Sequence, residues 1–464
     1  MPGTLGIIAE YDPFHNGHAH CLTEAKRLSG CDRVVCVMSG PFLQRGDPAQ
    51  FDKYLRAEAA VRGGADLVLE LPFAYSATGA ENFARGGVRL LSGLRMIDAI
   101  AFGSESAALE PMKALAKELA FESDELSVQI QRAMGEGLSY PTARHAAVKE
   151  VLGEEVAALI EKPNDILAIE YLKQLALLET ESMGTRLICF RPVGPVDDPS
   201  AIQIYPILRK GPGPMEGPKP PTPAYGDAPP VRETLISGAG AIRQMLRDGK
   251  LGRAFSYMPE TTADLIRNLI HQFLPYVSVW DMRVDHGFEM DFSRVGTRVA
   301  GMVFPEALFN PFQHALIAMG QKGVGDIYSV SEGIENRLFE AAMQVQNYGE
   351  LVAQTKSKRY TETRVRRLIL HAALHVTKQE MQKALSERIC ARILAFGSGG
   401  AEILREIKEK DTSVLLYQNL RLQEDDLAHS SALLNLSTRA DMIYYMLQGG
   451  SLAGFRYSPE PIRI

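Results

Sequence analysis

Apolar and polar positions follow two alternating patterns in the first part of the chain. Short apolar runs at residues 5–11, 33–38, 65–72 and 97–102 predict buried strands. Between them, apolar residues at every third or fourth position predict helices, as in residues 80–91. Strands that alternate with helices are typical of a parallel sheet covered by helices. The predicted fold class is therefore α/β, with a Rossmann-like parallel sheet.

The remaining part of the chain carries mainly the helical period. It predicts helices at 261–274, 333–347 and 364–376. The Gly-rich residues 393–401 lack the spacing of a dinucleotide-binding loop, and we interpret them as a loop before a helix at 402–408. We therefore predict an α/β domain at residues 1–250 and a mostly helical region at residues 251–464.

Residues 192–230 interrupt the first region. They contain 12 of the 26 prolines in the chain. Because proline has no backbone N–H and breaks helices, we predict an extended loop here instead of a regular strand or helix.

Composition excludes several classes of protein. The 464 residues are 46% hydrophobic with a net charge of −6, and no apolar run reaches the roughly 18 residues of a membrane span. The chain begins with the first predicted strand, without a signal-type segment, so we expect a cytoplasmic protein. The five cysteines have no C-x-x-C spacing, so we predict neither a disulfide framework nor a metal site. The sequence does not indicate an oligomeric state.

The first candidate site lies where the first predicted strand meets the first predicted helix. The N–H groups at such a helix start form an anion site. His15 and His18 would lie on its first turn and donate to phosphate oxygens, and Gly17 leaves room for a nucleotide. A zinc pair or two surface histidines are the alternatives, but zinc usually needs three or four ligands.

Two further segments offer cations to the same edge of the sheet. Residues 39–48 form a Gly- and Pro-containing loop in which Arg45 can bind a phosphate or carboxylate; the alternative is a solvated connector. Ser237 and Arg243 lie on the first turns of a later predicted helix, which is either a second anion cradle or an ordinary capped helix.

A basic segment lies within the helical region. Residues 356–367 contain six cations and one aromatic residue. In a chain of net negative charge, such a cluster favours binding of a nucleic-acid backbone, with Tyr360 available for stacking. A solvated helix start is the alternative.

Several segments together resemble the tRNA(Met) cytidine acetate ligase family, which belongs to the HIGH-motif nucleotidyltransferases. The similarity rests on residues 10–18 with their H-x-G-H motif, on residues 38–49 and 64–72, and on two shorter segments at 102–105 and 162–167. The family implies an enzyme that activates acetate with ATP as acetyl-adenylate. It then acetylates the wobble cytidine of elongator tRNA(Met), with Mg²⁺ bridging the phosphates.

The resemblance also assigns residues to this chemistry. The histidines and Arg45 would be catalytic. Fourteen consecutive residues would cradle ATP: Ile7, Ile8, Ala9, Glu10, Tyr11, Asp12, Pro13, Phe14, His15, Asn16, Gly17, His18, Ala19 and His20. The pocket would be completed by Gly103, Asn164, Arg191, Pro192, Ser237 and Arg243. From the residues alone, Asn164 could also be a helix N-cap. The RNA contacts would be Lys356, Lys358, Arg359, Tyr360, Arg364, Arg366 and Arg367.

The chain departs from the family at several positions. The family usually carries Asn at the positions of Asp12 and Pro41, and a carboxylate beside phosphates is unfavourable unless a metal ion or Arg45 neutralises it. Asp197 and Asp198 stand where a His-Asp pair is common, and Gly238 and Gly240 stand where hydroxyls are usual.

Two other functions remain open from the sequence. A small-molecule adenylyltransferase would use the phosphate site but not the basic segment. A non-catalytic RNA-binding protein would use the basic segment but release no pyrophosphate.

Overall fold

The strands of the first region form the centre of one sheet. The computed structural model describes residues 3–138, 140–184, 203–208, 213–215, 234–273, 298–299, 301–331, 333–357, 359–418, 431–455 and 459–464. The central strands are β1 (Thr4–Ala9), β2 (Arg33–Ser39), β3 (Leu67–Leu71), β4 (Ala99–Ser104) and β5 (Gln203–Leu208). They are parallel in the order β3-β2-β1-β4-β5. The predicted Rossmann-like parallel sheet is thus confirmed.

The Pro-rich stretch contributes to this sheet. Our prediction that residues 192–230 form only a loop is wrong at two places, because β5 pairs in parallel with β4 and residues 213–215 form a further short strand. Pro206 lies in a strand at the end of the strand order, where only alternate backbone N–H groups donate to a neighbouring strand and proline is tolerated. Two short ribbons follow, formed by β6 (Gly213–Met215) with β7 (Thr234–Ile236) and by β8 (Arg298–Val299) with β9 (Met302–Val303).

The second region also extends the sheet. β10 (Cys390–Phe396) pairs antiparallel with β3, and β11 (Leu415–Tyr417) and β12 (Ile462–Arg463) pair in parallel with β10. Our interpretation of residues 393–401 as a loop is therefore wrong. The glycines there allow close packing, since a Cβ at Gly400 would overlap the carbonyl oxygen of Asp66. The predicted domain boundary at residue 250 stays a prediction.

Helices cover the sheet in the first region. Their bounds are α1 (Asn16–Ser29), α2 (Lys53–Arg62), α3 (Phe73–Ser76), α4 (Ala80–Gly93), α5 (Leu109–Phe121), α6 (Asp124–Gly135), α7 (Tyr140–Leu152), α8 (Glu154–Ala157) and α9 (Pro163–Gly184). Every residue of β2 and β3 is buried, as expected for a parallel sheet with both faces covered.

The second region is mostly helical, as predicted. Its helices are α10 (Ala239–Arg247), α11 (Leu251–Phe255), α12 (Glu260–Phe273), α13 (Phe309–Val324), α14 (Ile334–Ala342), α15 (Tyr348–Thr355), α16 (Glu362–Ala373), α17 (Lys378–Ser386), α18 (Ser398–Lys408) and α19 (Ala432–Leu447). The helix predicted at 333–347 ends earlier, because Asn347 caps α15 by accepting from the N–H of Glu350. None of the described helices is long and apolar enough to cross a membrane.

A buried histidine makes the stability of this fold depend on pH. His371 in α16 is fully buried, with Nε2 3.0 Å from the carbonyl oxygen of Ala77 and Nδ1 3.2 Å from Oγ of Ser329. Burial lowers its pKa from 6.5 to about 3, helped by the charge of Arg367. Below pH 6.5 the unfolded chain takes up a proton that the folded protein does not. We therefore expect stability to be complete above pH 6.5 and to fall towards pH 3.

The measurement is denaturant unfolding at pH 7 and pH 5 for the parent and for His371→Gln. The His371 contribution corresponds to about 1.4 kcal/mol per pH unit in this window, so the variant should lose less stability on acidification. His314→Gln, on the exposed surface of α13, is the control and should keep the slope of the parent. An unchanged slope in His371→Gln would contradict the assignment.

Candidate active site

The predicted phosphate site lies where the strand order reverses. The chain adds β2 and β3 on one side of β1 and then β4 and β5 on the other, so the C-terminal ends of β1 and β4 flank a switch point, where α/β sheets bind ligands. Residues 10–18 leave β1 there and enter α1. The structure thus brings the N-terminus of α1 to the edge that the sequence predicts.

His15 and His18 form the cap of α1. His15 is the N-cap residue, and its Nδ1 accepts from the N–H of Gly17 at 3.0 Å. The N–H of His15 in turn donates to Nδ1 of His18 at 3.3 Å, and the two rings stack 3.7 Å apart. A neutral imidazole that accepts through Nδ1 carries its proton on Nε2. The cap therefore selects the tautomers that can donate to a phosphate oxygen through Nε2.

Gly17 and Asn16 fit the cap for separate reasons. A Cβ at Gly17 would lie 2.9 Å from Cε1 of His15, so a side chain there would displace the imidazole ring of His15. Asn16 donates through Nδ2 to the carbonyl oxygen of Leu235 at 2.9 Å, and its N–H donates to that of Tyr257 at 3.0 Å. The start of α1 is thereby joined to β7 and to the end of α11.

Asp12 has its charge neutralised by different groups from those we expected. Its carboxylate is 2% exposed and accepts from the N–H of Gln50 at 2.9 Å and from that of Phe51 at 3.3 Å. Nη1 of Arg243 lies 3.8 Å from Oδ2 and donates to the carbonyl oxygen of Asp12 at 2.7 Å. Arg243 and backbone N–H groups, instead of Arg45, therefore hold this carboxylate.

The charges of Arg45 and Arg243, which are distant in sequence, both act on Glu10. Burial raises the pKa of Glu10, while both cations and the hydrogen bond from the N–H of Gln44, at 2.7 Å, act to lower it. Arg45 itself is exposed. Two predicted phosphate-binding cations thus lie beside the end of β1.

Ser237 precedes α10, whose N-cap is Gly238. Because Gly238 is the N-cap and no side chain donates or accepts a capping hydrogen bond there, the capping role that we considered for Ser237 is wrong. Ser237 itself is buried. A Cβ at Gly238 would contact nothing within 4 Å, and one at Gly240 would meet only Arg243, at 3.9 Å. The two positions at which the family tends to place hydroxyls therefore have room for them.

Gly103 and Asn164 lie beside hydrogen bonds that run in both directions between the end of β4 and the start of α9. Asp165 is fully buried and accepts from Oγ of Ser104 at 2.5 Å and from the N–H of Glu105 at 2.9 Å. Glu105 accepts from the N–H of Asp165 at 3.0 Å and from Nδ2 of Asn164. Because α9 begins at Pro163, Asn164 is not the N-cap; the carboxylate of Glu105 takes that part.

Some of the other residues that we predicted to cradle ATP have side chains in the hydrophobic core, and others are only half-buried. The side chains of Ile7, Ile8, Tyr11 and Phe14 are at most 9% exposed and pack in the core. Only their backbone can face a nucleotide. Ala9, Ala19 and His20 are half-buried, and Pro13 is buried. Arg191 and Pro192 lie outside the described residues, as does Lys358 of the basic segment.

Arg56 is a residue that the sequence reasoning missed. It is fully buried in α2, and its guanidinium donates to the carbonyl oxygens of Glu10 at 2.6 Å, Ser39 at 3.1 Å and Phe51 at 2.9 Å, and to that of Gly40. It therefore ties the turns after β1 and β2 together. The sequence did contain one indication of this role, because Arg56 lies on the side of α2 that also carries buried alanines.

The structure separates the basic segment into two parts. Lys356 and Arg359 are exposed, and Arg364 is half-buried over the ring of Tyr360 at 5.2 Å. Tyr360 is 8% exposed, so its ring is not accessible for stacking on a base. Arg366 and Arg367 face the loop at 39–48, to which both bind.

Within the described part of the chain, no group of three or more His, Cys, Asp or Glu side chains is arranged to hold a metal ion. The carboxylates nearest the site are already engaged. Asp12 accepts backbone N–H groups, Glu10 accepts from Gln44, and Asp47 pairs with Arg366. These residues therefore do not form a protein cage for a divalent cation.

Comparisons with known proteins agree with this architecture. The HIGH Nucleotidyl Transferase family model matches residues 3–186 and 224–454. The structure superposes on the crystal structure of Thermotoga maritima TmcAL bound with alpha-thio ATP with a TM-score of 0.77, at 28% identity and 99% coverage of both chains. It superposes on the apo form of that protein with the same TM-score.

Two relatives extend the similarity over nearly the whole chain. The tRNA(Met) cytidine acetate ligase of Caldanaerobacter subterraneus subsp. tengcongensis is 33% identical over 88% of this chain and 86% of its own length. That of Thermoanaerobacter sp. strain X514 is 32% identical over 92% and 93%. The chain belongs to the HIGH nucleotidyl transferase family and, within it, to the tRNA(Met) cytidine acetate ligases.

Proposed function

We propose that this chain is a cytoplasmic ATP-dependent ligase that acetylates the wobble cytidine of elongator tRNA(Met) to N4-acetylcytidine. The observation that carries the proposal is the cap of α1, in which both Nδ1 atoms of His15 and His18 accept backbone N–H groups and leave the proton on Nε2. Membership of the family supplies the substrates, which are ATP, acetate and the tRNA.

The first step forms acetyl-adenylate. An acetate oxygen attacks the α-phosphorus of ATP, the bond to the bridging oxygen breaks, and pyrophosphate leaves. His15 and His18 donate to the phosphate oxygens as charge develops, and Arg45 and Arg243 stabilise the same negative charge. The contribution of the enzyme is positioning and charge stabilisation, without a covalent nucleophile.

The second step transfers the acetyl group. The exocyclic amine of the cytidine attacks the acetyl carbon, the bond to AMP breaks, and the amine loses one proton. The exposed Lys356 and Arg359 and the half-buried Arg364 offer cations to the RNA backbone, and the target base leaves its stack to reach the adenylate. Mg²⁺ would enter with the phosphates of ATP, because the nearby carboxylates are engaged.

The test has two readouts. Acetate-dependent exchange of pyrophosphate into ATP, without RNA, reports the first step. Mass analysis of nucleosides from an elongator tRNA(Met) transcript, incubated with ATP and acetate, reports the second. We expect acetylcytidine only when ATP, acetate and the transcript are all present. Exchange without modified RNA would indicate a small-molecule adenylyltransferase, and tRNA binding without exchange would indicate a non-catalytic RNA-binding protein.

A further inference from the structure

The loop that carries Arg45 is a closed turn with that residue at its tip. Within this loop (residues 39–48, the Arg45 loop), the N–H of Leu43 donates to the carbonyl oxygen of Asp47 at 2.9 Å, and the N–H of Gly46 donates to that of Leu43 at 2.9 Å. Phe42 and Pro48 form a bridge at its base. The turn therefore moves as a unit, and its neighbours decide where Arg45 points.

One neighbour is the start of α16, which belongs to the basic segment. Gly46 has a φ of +88°, and a Cβ there would overlap the backbone nitrogen of Arg367 and lie 2.7 Å from the carbonyl carbon of Arg366. The loop thus rests directly on the backbone of the helix. Only glycine allows both this conformation and this approach.

Two arginines of α16 hold the loop on either side of Gly46. Nη1 of Arg366 lies 2.8 Å from Oδ1 of Asp47, and Nη1 of Arg367 donates to the carbonyl oxygen of Gln44 at 3.1 Å. Burial lowers the pKa of Arg367 to about 10, which marks a guanidinium largely withdrawn from solvent. Both arginines are therefore engaged by the loop that carries a phosphate-binding cation.

The opposite side of the loop is joined to the ATP motif. The N–H of Gln44 donates to Oε1 of Glu10 at 2.7 Å, and Glu10 directly follows β1. Gln44 thus links the two sides, because its N–H binds Glu10 and its carbonyl oxygen binds Arg367. A continuous series of contacts runs from α16 to the end of β1.

We propose that Arg366, Arg367 and Gly46 are positioning residues for Arg45 in adenylate formation. The basic segment is then divided in function. Its exposed part, with Lys356 and Arg359, serves the RNA, and the part facing the Arg45 loop serves the ATP site. This inference rests on the proposed function for its reaction, but it reassigns two arginines that the charge pattern and the family resemblance had given to RNA.

Loosening the Arg45 loop should weaken stabilisation of the transition state for adenylate formation. Arg45 is exposed on a long side chain, so its charge reaches the phosphates reproducibly only if its loop is fixed. Loss of the Arg366–Asp47 pair or of the contact at Gly46 releases the loop. We expect kcat for pyrophosphate exchange to fall about 10- to 100-fold, with a smaller change in KM for ATP.

The experiment measures acetate-dependent pyrophosphate exchange without RNA in Arg366→Gln, Arg366→Lys and Gly46→Ala. Arg366→Gln and Gly46→Ala should lose kcat, and Arg366→Lys should recover part of it because a cation remains near Asp47. Gly153→Ala is the control for backbone strain, since Gly153 has a φ of +90° and open space around its Cα. Arg439→Gln is the control for losing a half-buried ion pair, here with Glu380.

A double variant separates positioning from general structure. If Arg366 acts through Arg45, adding Arg366→Gln to Arg45→Ala lowers kcat no further, whereas a merely structural effect would add. Binding of the tRNA transcript by Arg366→Gln should stay within about threefold of the parent, while Arg359→Gln should bind more weakly and depend less on salt. Full exchange in Arg366→Gln together with lost RNA binding would overturn the proposal.

Proteolysis tests the loop contact independently of activity. Trypsin should cut after Arg45 several-fold faster in Arg366→Gln than in the parent or in Arg439→Gln, because only the first variant frees the loop. Equal cleavage rates would contradict the contact. If the parent protein showed no pyrophosphate exchange, but Arg366→Gln were still cut faster than the parent, the proposed function would be refuted. The contact between α16 and the Arg45 loop would still hold.

Discussion

Replacing His18 by asparagine is expected to lower the rate of acetyl-adenylate formation by about 10²- to 10³-fold. The side-chain oxygen of asparagine can take the place of Nδ1 and keep accepting from the N–H of His15. The donor at Nε2 is lost, and with it about 2.7–4 kcal/mol of transition-state stabilisation, the amount typical of one oxyanion donor. The same reasoning applies to His15→Asn, since asparagine is a good N-cap.

The choice of asparagine distinguishes chemistry from folding. His18→Ala would remove both the capping acceptor and the donor, and loss of a cap alone costs about 1 kcal/mol of stability. The measurement is kcat for acetate-dependent pyrophosphate exchange, together with thermal unfolding of each variant. His314→Asn serves as the control, because that histidine is exposed on α13. Near-parental kcat in both asparagine variants would show that the imidazoles only cap the helix.

The part of the site that is local in sequence could be predicted. The turn at residues 10–18 contains the strand end, the cap and the first helical turn, and the two hydrogen bonds that form the cap join residues at most three apart. Such geometry depends on local chemistry, so a single stretch of sequence defines it. The parallel sheet of the first region could be predicted for the same reason, because short strand and helix patterns alternate along the chain.

Contacts between distant segments could not be predicted in this way. β10 pairs with β3, although the two strands lie far apart in the sequence. The apolar run of β10 next to glycines gave no indication of its partner strand. Arg243 neutralises Asp12 in the place expected of Arg45, because its side chain reaches from α10 to the turn before α1. Nothing in either segment specifies that approach.

Counting charges along the sequence also could not predict how the basic segment divides between two surfaces. Six cations in sequence predict one positive patch, but residues two apart on a helix point about 200° away from each other. Arg364 binds Ser331 on one side, while Arg366 binds Asp47 of the Arg45 loop. A linear pattern cannot tell which side of the helix another loop will cover.

Four charged side chains are buried together behind the Arg45 loop. Lys53 of α2, Glu70 of β3, Arg392 of β10 and Asp441 of α19 are each at most 8% exposed. Nζ of Lys53 lies 2.8 Å from Oε1 of Glu70 and 2.5 Å from Oδ1 of Asp441, and Nη1 of Arg392 lies 2.7 Å from Oδ2 of Asp441. The two positive and two negative charges balance, and removing any single one leaves a net charge in the interior. The cluster joins the first region to the second.

Lys53→Met is therefore expected to destabilise the protein by about 3–5 kcal/mol, because it leaves an uncompensated negative charge in the interior. The measurement is denaturant unfolding at neutral pH. The control is Lys113→Met, which breaks an exposed pair with Glu110 and should change stability by less than about 1 kcal/mol. A loss of this smaller size in Lys53→Met would contradict the burial of the charge.

A second substitution tests whether charge balance or packing causes the loss. Lys53→Met combined with Glu70→Gln removes one charge of each sign, so the double variant should be more stable than the sum of the single losses predicts, by about 0.5–3 kcal/mol. Purely additive losses would assign the effect to packing alone. Glu70 also lies against Gly40, where a Cβ would overlap Oε1, so the same cluster supports the loop that follows β2. Weakening it should lower adenylate formation as well as stability, because the Arg45 loop begins there.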